Sequence, residues 1–262
     1  MTRTSWTSTL MTVLIAIGCG GSKPQDAAAT TSAQSQAASA APGASGAPAA
    51  TGSATIKGVV TLSGTAPAPQ RVAMDADPVC QQQHASPVYT EEVVVGPNGE
   101  LKNAFVYVKE GVSGSYPPPA QPVTFNQSGC WYVPHVFGIQ ANQPLEIVNS
   151  DATLHNVNAK PTANTPFNIA QPVQGMKSTK KFTTPEIGIK FKCNVHPWMS
   201  AFGHVVSHPF FSVSGADGNF TISHLPAGTY TLEAWHEKYG TKTQSVTVGE
   251  GQTQSVSFAF GS

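Results

Sequence analysis

The sequence predicts an all-β protein built from sandwiches, and three observations lead there. Short runs that alternate apolar and polar residues continue from about residue 56 almost to the C-terminus. Turn-forming clusters separate them, among them GPNG at 96–99, ANQP at 141–144, GADG at 215–218 and LPAG at 225–228. No window shows a long amphipathic helix, and 24 Gly with 21 Pro favour turns over helices. The 262 residues suffice for one or two compact domains. With 11% charged residues and a formal net charge of zero, nothing basic argues for a nucleic-acid partner.

The first element is an export signal. Arg3 gives a positive start, residues 10–17 form an apolar run, and Ala16, Ile17 and Gly18 lead into Cys19. The run is too short for a membrane-spanning helix. Small residues before a Cys at the end of such a run resemble a bacterial lipoprotein cleavage box. That resemblance implies a signal peptide over 1–19 and a lipidated Cys19; the alternative is an ordinary secretory peptide with an incidental Cys. Residues 20–54 are Ala, Ser, Thr, Gly, Pro and Gln with almost no large apolar side chain. Such a stretch cannot bury enough surface to offset its chain entropy, so a flexible tether is expected. The expected location is extracytoplasmic, lipid-anchored to a bacterial membrane, in the periplasm or at the cell surface.

Strands are expected over 56–62, 101–108, 136–140, 145–149, 180–183, 186–193 and 203–206. Further strands are expected over 219–223, 229–235, 244–248 and 255–260. In EIGIKFKC, Ile187, Ile189, Phe191 and Cys193 share one parity, with Lys190 and Lys192 on the other. Alternation therefore turns Cys193 toward the core, at the strand's end. The loop that follows reads NVHPWM.

Cys193, His196 and Met199 supply a thiolate, an imidazole and a weak thioether at spacings of three. Soft sulfur with imidazole suits copper, and two His, one Cys and a distant Met describe an electron-transfer copper site. A second imidazole is available in LEIVNSDATLHNVNA, where His155 follows a strand after a short turn. The alternative is a buried inert thiol or half a disulfide.

YVPHVFGIQANQPLEIVNSDATLHNV and CNVHPWM resemble the cupredoxins, the small blue-copper proteins; the second is similar to the short ligand loop of amicyanin. The likeness covers about residues 120–208. It implies a Greek-key β-sandwich holding one type 1 copper ion, with His155, Cys193 and His196 as equatorial ligands and Met199 as the weak axial one. Asn156 and His135 are expected around the ligands. The chain departs from the pattern at His135, where a small polar residue is usual, and carries additional histidines at 204 and 208. Trp198 and Pro197 are a candidate docking patch beside His196, the expected electron exit edge, although a Trp there is more often plain packing. His224 and His236 are expected at the surface or around the ligands.

Cys80, Cys130 and Cys193 remain once Cys19 is lipidated. In an oxidising compartment two of three should pair, and with Cys193 claimed by the motif, Cys80 and Cys130 are left as partners. The competing reading is a Cys2His2 zinc site from Cys80, His84, Cys130 and His135.

FFSVSGADGNFTISHLPAGTYTLEAWHEKYG resembles the prealbumin-like modules called carboxypeptidase regulatory-like domains, whose earlier strands look like IKGVVTLSG and NAFVYVKEG. The likeness implies a discontinuous sandwich, 55–115 with 209–262, into which a cupredoxin at 116–208 is inserted. The rival arrangement gives the early strands to the cupredoxin sheet.

The resulting expectation is a one-electron carrier, not an enzyme, served by a redox partner such as a cytochrome or dehydrogenase and touching the membrane only through its lipid. No His-x-His pairs for a trinuclear copper centre, no nucleophilic triad and no paired catalytic carboxylates are visible. Two rivals are a copper-delivery protein without redox turnover and a non-metal cell-surface binding module.

Overall fold

The computed structural model describes residues 52–261. The export signal, Cys19 and nearly all of the expected tether lie outside the described residues. No described helix is long and apolar enough to cross a membrane. The described chain runs β1 (Ala54–Leu62), α1 (Pro78–Gln82), β2 (Phe105–Glu110), β3 (Val123–Ser128), β4 (Trp131–Val133), β5 (Val136–Gln140), β6 (Pro144–Asn149), β7 (His155–Lys160) and β8 (Phe167–Gln171). It continues through β9 (Lys177–Lys181), β10 (Glu186–Lys192), β11 (Ser200–Val206), β12 (Phe211–Val213), β13 (Asn219–Leu225), β14 (Gly228–His236), β15 (Gly240–Val248) and β16 (Thr253–Phe260).

Four sheets form two sandwiches. In the outer one, β13-β1-β16 packs on β12-β2-β14-β15; in the other, β5-β11-β10-β7-β8 packs on β4-β3-β6-β9. Val59 on β1 pairs with Asn219 of β13 and Ser257 of β16, so the early strand belongs with the C-terminal ones. β3 to β11 therefore form a sandwich inserted between β2 and β12 of the outer one. Each core is apolar: Ile56, Phe220, Leu232 and Phe258 lie in the outer, and Phe125, Ile147, Ile189 and Phe191 in the inserted. Each such fully buried side chain contributes about 1.5–3 kcal/mol of transfer free energy.

The two sandwiches meet face to face through Phe105, Tyr107, Val136 and Val206, with Phe202, Phe211 and Trp235 packed against them. Gly138 allows that approach, because a Cβ there would stand 2.4 Å from the Phe211 ring and 2.6 Å from that of Phe105. His204 lies in this seam, stacked on Phe105 at 4.2 Å between ring centroids.

The segment between β1 and β2 divides its loyalties. Leu101 and Ala104 join the outer core, but Val72, Met74 and Cys80 join the inserted one, with Val88 packed beside them. Residues 72–88, read from sequence as part of the outer module, thus cover one end of the inserted sandwich. α1 lies within this cover.

Candidate metal centre

β10 ends as its alternation requires: Ile189 and Phe191 are buried, Lys190 is exposed, and Cys193 is buried just beyond the strand. β7 runs antiparallel to β10, with Lys192 opposite Asn158, so the start of β7 adjoins the end of β10. His155 is the first residue of β7, and its arrival beside Cys193 follows from that register. The loop 193–199 closes on itself, with Cys193 N–H donating to Met199 O at 3.1 Å and Met199 N–H to His196 O at 3.0 Å. The Asn194 N–H donates to Asn156 Oδ1 at 3.1 Å, which fastens the loop to β7.

Three donor atoms converge. His155 Nδ1 and His196 Nδ1 lie 3.0 Å apart, His196 Nδ1 lies 3.9 Å from Cys193 Sγ, and the ligand atoms of the trio are mutually within 4.8 Å. Such separations can be bridged by one ion with bonds of roughly 2.0–2.3 Å to nitrogen and sulfur. All three residues are buried, and Met199 is fully buried in the same core. Burial would push the Cys193 thiol up. Hydrogen bonds from His155, His196 and the amides of His196 and Val195 outweigh it and bring the thiol down to about 6. The site thus favours the thiolate, the form that binds metal.

Both imidazoles carry a carboxylate on their far nitrogen. His155 Nε2 meets Asp151 Oδ2 at 2.8 Å, and His196 Nε2 meets Asp77 Oδ2 at 3.0 Å. Burial works to raise both carboxyls, but hydrogen bonding holds each below the usual carboxylate range; Thr153 and His196 act on Asp77, and His155 with the amides of Cys130 and Gly129 on Asp151. Burial opposes the charged form of His155, but hydrogen bonds to Asp151 and Cys193 outweigh it and raise the imidazole above its usual range. With the far nitrogens protonated toward the carboxylates, the two Nδ1 atoms and the sulfur form a cluster of electron-pair donors that a cation placed between them would stabilise. The donor set therefore fits a soft or borderline metal ion.

Neither aspartate was singled out from sequence. Their available signals are Asp151 four residues ahead of His155 and the Asp-Pro pair at 77–78, three residues ahead of Cys80.

Cys80 and Cys130 are joined in a disulfide. His84 bonds the Gly129 carbonyl at 2.7 Å, while His135 bonds the Ser200 carbonyl at 3.0 Å and the Glu237 carboxylate. Cys80, His84, Cys130 and His135 therefore do not converge as a zinc site would require. His135 touches the end of the ligand loop and the outer sandwich, and its hydrogen bonds bypass the donor trio. The expected exit edge also differs: His196 is only 3% exposed, covered by Asp77 and by Cys80 Sγ at 3.6 Å. Trp198 is half-buried, its ring 5.1 Å from that of His196 and its N–H donating to Cys130 O at 3.0 Å; Pro197 is exposed.

The remaining histidines are mostly structural. His208 bonds Val108 O at 2.9 Å, and His204 is enclosed by Phe105 and Trp235. His236, expected at the surface or around the ligands, is instead buried against Tyr239 and Phe260, while His224 is exposed.

Residues 207–261 match the family described as carboxypeptidase regulatory-like domain. No curated protein matches the chain. Among solved structures, the copper-containing nitrite reductase from Thermus scotoductus SA-01 is similar at 24% identity over 36% of this chain, with a TM-score of 0.29. The chain spans 24% of that enzyme's length. An amicyanin variant in its Cu(I) form aligns at 15% identity over 32% of this chain and 82% of its own, with a TM-score of 0.29. A purple cupredoxin from Nitrosopumilus maritimus aligns at 18% identity over 32% and 98%, with a TM-score of 0.28.

Proposed function

We propose that the chain is an extracytoplasmic one-electron carrier, with a single copper ion held by His155, Cys193 and His196 and more weakly by Met199. The convergence of two Nδ1 atoms and a thiolate-prone sulfur at a buried sheet end carries this reading. Copper held there supplies one-electron exchange between Cu(II) and Cu(I), the chemistry suited to a mixed imidazole and thiolate set.

The chain's own residues do the rest. The loop closure from Cys193 to Met199 and the Asn194–Asn156 bond fix the donors before a metal arrives. Burial of the donors shuts out solvent and substrate-sized molecules, which supports electron transfer over catalysis at the metal. Trp198, in ring contact with His196 and half-exposed, is with Pro197 the side we assign to a redox partner protein. A Cys80–Cys130 disulfide fits an oxidising compartment, and with the N-terminal pattern supports export and lipid anchoring at Cys19.

The test is optical. Copper-loaded protein should show the intense visible charge-transfer band of a copper–thiolate bond, and Cys193→Ser should abolish it. Retention of the band in Cys193→Ser, or no stoichiometric copper in the native chain, overturns the reading.

A further inference from the structure

We infer that Asp77 and Asp151 are positioning residues that fix which nitrogen each histidine offers to the metal, and that the Cys80–Cys130 disulfide is the frame carrying both. The inference rests on the copper reading above and concerns the residues around it.

An imidazole presents one nitrogen to a metal only when its proton is held on the other. Asp151 accepts at His155 Nε2 and Asp77 accepts at His196 Nε2. A carboxylate has only acceptor oxygens, so each aspartate holds a proton on Nε2 and leaves Nδ1 as the nitrogen a metal ion can take. Those Nδ1 atoms are the ones that face each other and Cys193.

The second oxygen of Asp77 shows how its carboxylate is aimed. Asp77 Oδ1 accepts the amides of Val79 and Cys80, capping α1, while Oδ2 takes Thr153 Oγ1–H and His196. Asp151 is arranged in parallel. Its Oδ1 accepts the Gly129 amide, and its Oδ2 accepts the Cys130 amide together with His155. Each aspartate therefore holds the amide of one disulfide cysteine and one imidazole. The S–S bond links the two carboxylates from behind, and the His196 ring is closed over by the chain segment that carries Asp77. The expected solvent-facing histidine edge is absent because this segment occupies it.

Asp77→Ser separates positioning from capping, since a serine oxygen still caps α1 but leaves His196 Nε2 without its acceptor. Ring nitrogen NMR of the metal-free native protein, at a pH high enough for both rings to be neutral, should find the Nε2–H tautomer on both His155 and His196. Asp77→Ser should turn His196 into a tautomer mixture while His155 stays as it is. The variant should also bind copper about ten- to a hundredfold more weakly in chelator competition. Nδ1–H tautomers in the native protein, or native tautomers and native copper affinity in Asp77→Ser, overturn the inference. If the native chain lacks the copper–thiolate band, the metal assignment fails instead, and the tautomer measurement on metal-free protein still decides the role of Asp77. Thr153→Val, which removes the other donor to the same oxygen, should leave the His196 tautomer unchanged; a mixture there would point to general loosening and also overturn it.

Discussion

The two sandwiches share an architecture and differ in what they bury at their ends. The outer one closes over apolar side chains such as Ile56, Leu225, Phe258 and Phe260. The inserted one leaves an end of its core to His155, Cys193 and His196. The buried histidines sort the same way. His155 and His196 each have a carboxylate, whereas His204 Nε2 and His236 Nε2 have no hydrogen-bond partner among the described residues. A buried polar atom is costly unless paired. His208 and His135 do find partners, in Val108 O and Glu237, but only the donor cluster brings two carboxylate-paired imidazoles together beside a buried sulfur. A sandwich supplies a rigid frame, and the chemistry belongs to the strand ends fixed on it.

The largest effect should come from breaking either core. Phe191 is fully buried among Phe125, Phe137, Phe167 and Phe182, and Phe258 is fully buried against Phe220. Truncating either to Ala should cost about 3–5 kcal/mol by chemical denaturation. The two variants should part company at the site. Phe191 lies two residues before Cys193 on the same strand face, so Phe191→Ala should shift the copper–thiolate band, while Phe258→Ala should leave it unmoved. An equal shift from both would erase the distinction between a frame and a site-bearing core.

How far the sequence spoke depended on where the information lay. The parity of EIGIKFKC placed Cys193 correctly because alternation is a local property of β10. The pattern does not reveal β7: in HNVNAK the inward positions are His155, Val157 and Ala159, and with Asn156 and Asn158 on the other face a strand lying between β10 and β8 looks polar. β3, with Gln127 buried and bonded to Gln171 across the sandwich, hides its alternation in the same way. The covering segment 72–88 was unreadable for a different reason. Its contacts with the inserted core depend on the tertiary return of the chain and on the disulfide, so Asp77 carried no local mark of its bond to His196. His236 misled because a histidine near a turn gives no hint that Phe260 will close over it.

A middle-sized effect should separate the paired histidines from the unpaired. Burial pushes His204 down to about 3 and His236 down to about 4, the latter aided by His135. The unfolded chain takes up a proton at His204 from about pH 6.5 downward, while the folded chain refuses it until near 3. The stabilisation is therefore complete above about 6.5 and is lost as pH falls toward 3, at roughly 1.4 kcal/mol per pH unit. His204→Gln keeps an acceptor for the Gly188 amide and removes the titration. Denaturation midpoints measured across that window should show a shallower acid loss in the variant, and an unchanged slope would locate the acid sensitivity elsewhere.

The smallest effect concerns what joins the two regions. His135, at the entry to β5, bonds Glu237, which follows β14, so this pair spans inserted and outer sandwiches. It is conspicuous, but the seam beside it buries Phe105, Tyr107, Val136 and Val206 and stacks His204 between Phe105 and Trp235. Glu237→Gln keeps a side-chain oxygen for the imidazole and removes only the charge. The expected cost is about 1 kcal/mol or less, with both sandwiches still unfolding in one transition when followed by separate probes. Trp235→Ala should instead let the inserted sandwich unfold at lower denaturant than the outer one, because its ring packs on Phe202 and His204 across the seam. If the charge change alone splits the transition, the two regions are held by a single bond and their separate cores count for less than the apolar seam implies.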